Sequence, residues 1–354
     1  MIKDSVFAAL ELAEARRAER RRFLKLAGAG TAAAGGLALL SACGSDNNNS
    51  TSPSPTPTPT PTPTGGVTSD VAILQLALNL EYLEAQFYSF SAFGRSLPEA
   101  SLTGTVGERG GVTGGRKVAF SDPIIASYAR EIAADELAHV NALRAVITSV
   151  SAAQVINQPA INIDGGASGA FTFAAQKAGI IGANDTFDPY LDDKNFLLAA
   201  YLFEDVGVTA YKGASPLISS AIYLEAAAGI LAAEAYHAGL IRAELYRMGT
   251  LVPGASDAIT KANAISDYRD SLDGVGTTLL PNLNELDEGI TKTVSGAQVA
   301  NIVPADSNAI AYSRTTFQVH NIAYLTKAAA TSGGFFPKGT NNSIDSLRSS
   351  GNFA

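Results

Sequence analysis

Two stretches of the chain carry Glu and His three residues apart, Glu136-Leu-Ala-His139 and Glu234-Ala-Tyr-His237. On a helix that spacing sets a carboxylate and an imidazole one turn apart on a single face, a pair suited to gripping a cation. Glu is only 15 of the 354 residues, and the chain has 3 His, so the same offset arising twice by accident is remote. Two further glutamates are each followed seven residues later by a tyrosine: Glu81 by Tyr88, and Glu204 by Tyr211. Seven residues is nearly two helical turns, so each tyrosine lies on its glutamate's face. The chain thus reads as one unit used twice, Glu-x6-Tyr and then Glu-x-x-His.

Four glutamates turned toward one core would repel each other, and burial would push their protons back on. Two divalent cations neutralise four carboxylates and leave the imidazoles to bind through neutral nitrogens. A carboxylate-rich site with one imidazole per ion suits iron or manganese better than structural zinc. The single Cys excludes a disulfide framework and any Cys-based zinc or iron–sulfur site.

The elements that must position these groups are helical. Apolar residues recur at three-four spacing from about Ser69 to Phe93 (Ile73, Leu76, Ala77, Leu80, Leu83, Phe87 and Phe90), which predicts a helix with one buried face. A second helix is predicted from Ser121-Asp122-Pro123, a cap followed by a first-turn proline, to about Val150. A third runs from near Asp193 to Lys212 with Gly213 as its stop, and a fourth from about Ser220 to Met248 with Gly249 as its cap. A short helix is expected near 169–178, and others near 257–272 and 315–327. A short link between the third and fourth segments and a long one between the second and third predict an all-α, ferritin-type four-helix bundle with one long crossover and a partly helical C-terminal extension.

These motifs resemble the ferritin-like di-iron/di-manganese carboxylate proteins. More narrowly, Leu78-Asn-Leu-Glu-Tyr-Leu-Glu-Ala-Gln-Phe-Tyr88, Phe203-Glu-Asp-Val-Gly-Val-Thr-Ala-Tyr211 and Ala228-Gly-Ile-Leu-Ala-Ala-Glu-Ala-Tyr-His-Ala-Gly239 are similar to the branch that includes desiccation-related proteins, with further likeness at Asn301-Ile-Val-Pro-Ala-Asp306 and Gly333-Gly-Phe-Phe-Pro337. The resemblance implies Glu81, Glu136, His139, Glu204, Glu234 and His237 as ligands of two iron or manganese ions. It implies chemistry on peroxide or O₂, or storage, or a metal-free protective role in the cell envelope. It names no catalytic residue and leaves a homodimer open.

Other residues have plainer readings. Glu84 is a rival to Glu81 one turn on and about 60° around the helix. The Tyr88 spacing favours Glu81 and leaves Glu84 a supporting place. Tyr88 and Tyr211 are either core tyrosines or hydrogen-bond partners of a ligand across the bundle. Glu131, Asp135, Asp205 and Glu225 read as solvated or as neighbours of the ligands, and His320 as structural. The Gly-rich run at 104–115 lacks a strand before it, so phosphate binding there is a weak reading.

The first 66 residues read as an address and a tether. Glu19-Arg-Arg-Arg-Phe-Leu-Lys25, with Arg20 and Arg21, resembles a twin-arginine export motif, which implies the twin-arginine translocase as a partner. Leu26 to Ala42 is apolar but short for a membrane span, as a signal peptide's core is. Leu40-Ser41-Ala42-Cys43 resembles a bacterial lipobox, which implies cleavage before Cys43 and a lipid on its sulfur holding the protein to the membrane. Gly44 favours an outer-membrane destination where there are two membranes. Residues 43–66 hold a Pro-Thr tract, an extended spacer that cannot form a core. The expected organisation is a signal over 1–42, this linker, the bundle over 67–250 and an extension over 251–354. With 33 Asp+Glu against 25 Lys+Arg the net charge is −8, which argues against nucleic acid as a partner. Cys43→Ser is expected to leave the protein uncleaved and unlipidated; labelled lipid still entering that variant would contradict the lipobox.

Overall fold

Helices form where the three-four patterns lie. The computed structural model describes residues 66–274 and 286–353, and the export motif, the lipobox and the Pro-Thr tract lie outside the described residues. Four long helices build the bundle: α1 (Gly66–Phe93), α2 (Pro123–Val150), α4 (Asp193–Ala214) and α5 (Ala221–Leu251). A short α3 (Ala170–Lys177) lies in the long crossover, and α6 (Ala258–Asp273) and α7 (Thr316–Tyr324) belong to the C-terminal extension. α1 packs along α2, and α4 along α5. The fold is all-α, as the spacing predicts. Among the described residues no helix is long and apolar enough to cross a membrane.

The helix starts are set by carboxylates, in matching fashion in the two halves. Asp122 caps α2 by accepting the Ile124 N–H at 2.8 Å, and Asp192 caps α4 by accepting that of Asn195 at 2.8 Å. Asp70 on α1 accepts the backbone N–H groups of Ser219 and Ser220, both at 2.9 Å, and so anchors the entry to α5. Asp193 on α4 does the same for Ser121 and Asp122 at the entry to α2. Each first helix of a half thereby holds the start of the other half's second helix.

Three expectations need correction. α1 is buried almost all round, polar residues included, and not on one face. Its far side is covered by the chain's end: Asn79 exchanges two hydrogen bonds with the Asn341 backbone at 2.7 and 2.8 Å, and Gln75 accepts the Ser343 N–H at 2.8 Å. Gly213 does not stop α4; a Cβ there would lie 1.9 Å from the Arg314 carbonyl oxygen, so the glycine admits a crossing backbone. Gly249 lies within α5, where a Cβ would meet Ile259 of α6 at 2.6 Å. Both glycines serve packing of the extension onto the bundle.

Two small strand pairs escape the helical reading. β1 (Val112–Gly114) pairs in parallel with β2 (Ile161–Ile163), tying the two long connections together. β3 (Thr291–Val294) and β4 (Ala297–Ala300) form a hairpin turned by Ser295 and Gly296, both at positive φ as a two-residue turn demands.

The extension is fastened to the bundle by buried charge. Arg242 of α5, Arg269 of α6 and Arg314 are almost fully buried. Asp205 accepts from Arg242 and from Arg269, each at 2.7 Å; Asp287 accepts from Arg269 and Arg314, each at 2.7 Å; and Asp273 accepts from Arg314 at 2.8 Å. Asp205 is therefore neither solvated nor a neighbour of the centre. Three cations against three anions leave no net charge in this layer. Removing one member strands its partners, so Arg269→Ala is expected to cost about 3–5 kcal/mol in urea unfolding. A loss under about 1 kcal/mol would show that this network does not hold the extension in place.

Candidate metal centre

The bundle turns the predicted glutamates and histidines to one point. Glu81 comes from α1, Glu136 and His139 from α2, Glu204 from α4, and Glu234 and His237 from α5; all four glutamates have no exposed surface. His139 Nδ1 lies 3.3 Å from Glu81 Oε2, 3.3 Å from Glu234 Oε1 and 3.7 Å from Glu136 Oε1. His237 Nδ1 lies 3.2 Å from Glu136 Oε1 and 3.6 Å from Glu204 Oε2. The imidazole centroids are 6.1 Å apart. Two groups that could hold a metal ion result: Glu81, Glu136, His139 and Glu234, and Glu136, Glu204 and His237. Glu136 belongs to both, the position of a bridge.

The atoms facing the centre carry the argument. Glu81 Oε2, both oxygens of Glu136, Glu204 Oε2, both oxygens of Glu234, and Nδ1 of each histidine are buried with no hydrogen-bond partner. Eight such atoms in one place are costly unless something positive binds them. Oxygen-rich donors with one imidazole in each group fit iron or manganese.

The outward sides of the ligands are fixed by hydrogen bonds. Tyr88 of α1 donates to Glu204 Oε1 on α4, and Tyr211 of α4 donates to Glu81 Oε1 on α1. Each tyrosine thus holds the other half's glutamate, and each glutamate keeps one oxygen for the centre. His237 Nε2 lies 3.3 Å from Asp135 Oδ2, which orients that ring. Of the two readings the sequence allows for Asp135, solvated or beside the candidate ligands, the structure shows the second; its place beside Glu136 is the available signal. Glu84 is buried with its carboxylate near Glu234, while Glu131 and Glu225 are exposed. His320 lies apart from the centre: its Nδ1 donates to the Thr316 carbonyl at 2.8 Å, its Nε2 accepts from the Thr340 hydroxyl at 3.1 Å, and burial lowers its pKa to about 4.

Without cations, protons take up the charge. Burial, reinforced by Glu136, pushes Glu81 up to about 7. Burial pushes Glu204 up to about 8, with Glu136 adding to it and His237 opposing it. Burial also drives Glu234 and Glu84 well above the carboxylate range; Glu136 adds most to it for the first and Glu234 for the second. For Glu136 burial is outweighed by its two imidazoles, which hold it at about 2. For His237 burial is outweighed by Glu204 and Glu136, which lift it to about 10, and His139 is raised further by its three glutamates. In the metal-free protein the two imidazoliums stand where cations would.

On one side the centre approaches solvent. Between α2 and α5 runs a groove of about 540 Å³, lined by Tyr128, Glu131, Ile132 and Asp135 on one wall and by Tyr236, His237 and Leu240 on the other.

Comparison with known proteins agrees with the fold. The model of the ferritin-like domain family matches residues 69–247. The chain is 30% identical over 283 residues to desiccation-related protein PCC13-62 of Craterostigma plantagineum, covering 79% of this chain and 85% of that protein. It is 28% identical over 284 residues to ferritin-like catalase Nec2 of Nesocodon mauritianus, covering 78% and 85% respectively. No solved structure matches the chain significantly.

The protonation pattern sets a pH dependence. Glu81 and Glu204 keep protons in the folded metal-free chain that an unfolded chain, with carboxyls near 4.5, releases. His237 keeps one up to about 10, against 6.5 when unfolded. The folded state therefore binds more protons from about pH 4.5 to 10, and its stability falls as pH rises through that window. Glu136 acts oppositely, its contribution being lost as pH falls from 4.5 toward 2, and so does buried His320, whose lowered value costs stability as pH falls from 6.5 toward 4. Metal-free protein is expected to show a falling melting temperature from pH 5.5 to 9, and saturating Mn²⁺ to flatten the slope by displacing those protons. Identical slopes with and without metal would contradict the site.

Proposed function

Because the chain belongs to the ferritin-like domain family, we propose that it binds a dinuclear iron or manganese centre and uses it on peroxide. The eight inward-facing, unpartnered atoms of Glu81, Glu136, His139, Glu204, Glu234 and His237 carry this reading. The relative named a ferritin-like catalase supports the choice of peroxide. When bound, the ions would supply the redox chemistry of disproportionation: one peroxide gives up two electrons and two protons and leaves as O₂, and a second takes up both and becomes two waters.

The chain's own residues do the rest. Glu81, Glu136, Glu204 and Glu234, all buried, would hold the ions and balance their charge, with Glu136 placed to serve both. Tyr88 and Tyr211 keep two of those carboxylates turned inward. Asp135 Oδ2 takes the outward N–H of His237, which leaves the inward nitrogen free to bind an ion. The α2–α5 groove, with Tyr236 80% exposed on its wall, admits a small polar substrate from solvent.

This reading includes export by the twin-arginine route, folded and loaded, and anchoring through lipid on Cys43, which suits protection of the envelope from oxidants. The relative named a desiccation-related protein favours a second reading, a protective or storage role without turnover.

Peroxide consumption by iron- or manganese-loaded protein separates the two. Glu234→Ala is expected to fall to the rate of free metal, and Asp135→Asn to lose roughly 10- to 100-fold. Equal rates in the parent and Glu234→Ala would remove the catalytic reading.

A further inference from the structure

The first helices of the two halves differ at a position close to the centre. Glu81 and Tyr88 on α1 stand at the same spacing as Glu204 and Tyr211 on α4, yet the counterpart of Glu84 is Gly207. The difference makes room. A Cβ on Gly207 would lie 2.5 Å from Glu234 Oε2 and 3.3 Å from Glu84 Oε1. Two carboxylates, from α1 and from α5, therefore converge on a notch that exists because α4 carries no side chain there.

Glu84 has no other employment. It is 4% exposed, and among the described residues it accepts no hydrogen bond. Its remaining surroundings are apolar: Leu80, Leu83, Phe203, Val206 and Phe335 are among the walls of a cavity of about 30 Å³ beside it. A carboxyl so placed is worse for stability than the leucine that would fill that cavity, unless it serves the centre. The two metal-holding groups are also unequal. The group around His139 has three glutamates, and the group around His237 has two. The notch lies one turn along α4 from Glu204, a member of the poorer group.

We propose that Glu84 is a seventh metal-binding side chain, which turns through the space above Gly207 to join Glu204 and His237 on the second ion. The inference rests on the dinuclear reading. It makes the two ions chemically distinct, although the helices that hold them repeat one pattern. Gly207 is then a positioning residue, needed for the clearance through which Glu84 reaches the ion.

Calorimetric titration of the metal-free protein with Mn²⁺, and with Co²⁺ for its visible spectrum, tests this. The parent protein takes up two ions. Glu84→Gln, which keeps shape and loses charge, weakens one binding event by roughly 10- to 100-fold, leaves the other in place and changes the Co²⁺ spectrum. Gly207→Ala weakens that event with Glu84 intact, because the added methyl fills the notch, and, lying 2.5 Å from Glu234 Oε2, it disturbs the other ion as well. Two-ion binding with parental affinity and spectrum in Glu84→Gln overturns the assignment of Glu84 alone. A parent protein that takes up no ion overturns the dinuclear reading, and this inference with it.

Discussion

Mutual repulsion among buried carboxylates is the constraint on which the molecule turns. Glu81, Glu84, Glu136, Glu204 and Glu234 lie together with almost no exposed surface. Solvent cannot screen them, and the nearest protein cations are two imidazoles that are only conditionally charged. The fold tolerates this cluster by one of two means: protons crowded onto the carboxyls and rings, or metal ions between them. The second needs donors already aimed inward, and the outer hydrogen bonds from Tyr88, Tyr211 and Asp135 provide that orientation. The same bonds would have little purpose in a bundle held together by apolar packing alone.

Rigidity around the cluster comes from crossed ties. Asp70 and Asp193 each anchor the other half's second helix, and the two tyrosines each hold the other half's glutamate. The halves cannot slide apart without breaking both sets. The C-terminal extension adds a jacket. Residues 341–343 cover the polar back of α1, Phe335 packs against Phe171 and Phe203, and the Arg–Asp layer locks α6 to α4 and α5. With α1 and α4 enclosed, the groove leaves the side between α2 and α5 open to solvent.

Much of this was legible in the residues, for reasons that differ from part to part. The four bundle helices follow from three-four spacing and from Asp-capped starts, which are local signals. The convergence of the six Glu and His side chains follows from the repeat of Glu-x-x-His and Glu-x6-Tyr. The all-round burial of α1 was not legible, because the partners of Asn79 and Gln75 arrive from residues some 260 positions away. Nor was the Arg–Asp layer: a charged side chain reads as solvated until the element that pairs with it is in place. The strands of three or four residues are too short to show alternation. Gly213 and Gly249 were misread as helix ends because glycine signals a cap and a close crossing with the same letter. Glu84 and Gly207 become informative only when one half of the chain is laid on the other.

Metal content bears most directly on whether cations neutralise this cluster. Elemental analysis of the protein purified from its native compartment is predicted to find about two equivalents of iron or manganese per chain. A folded protein carrying neither metal would contradict the account.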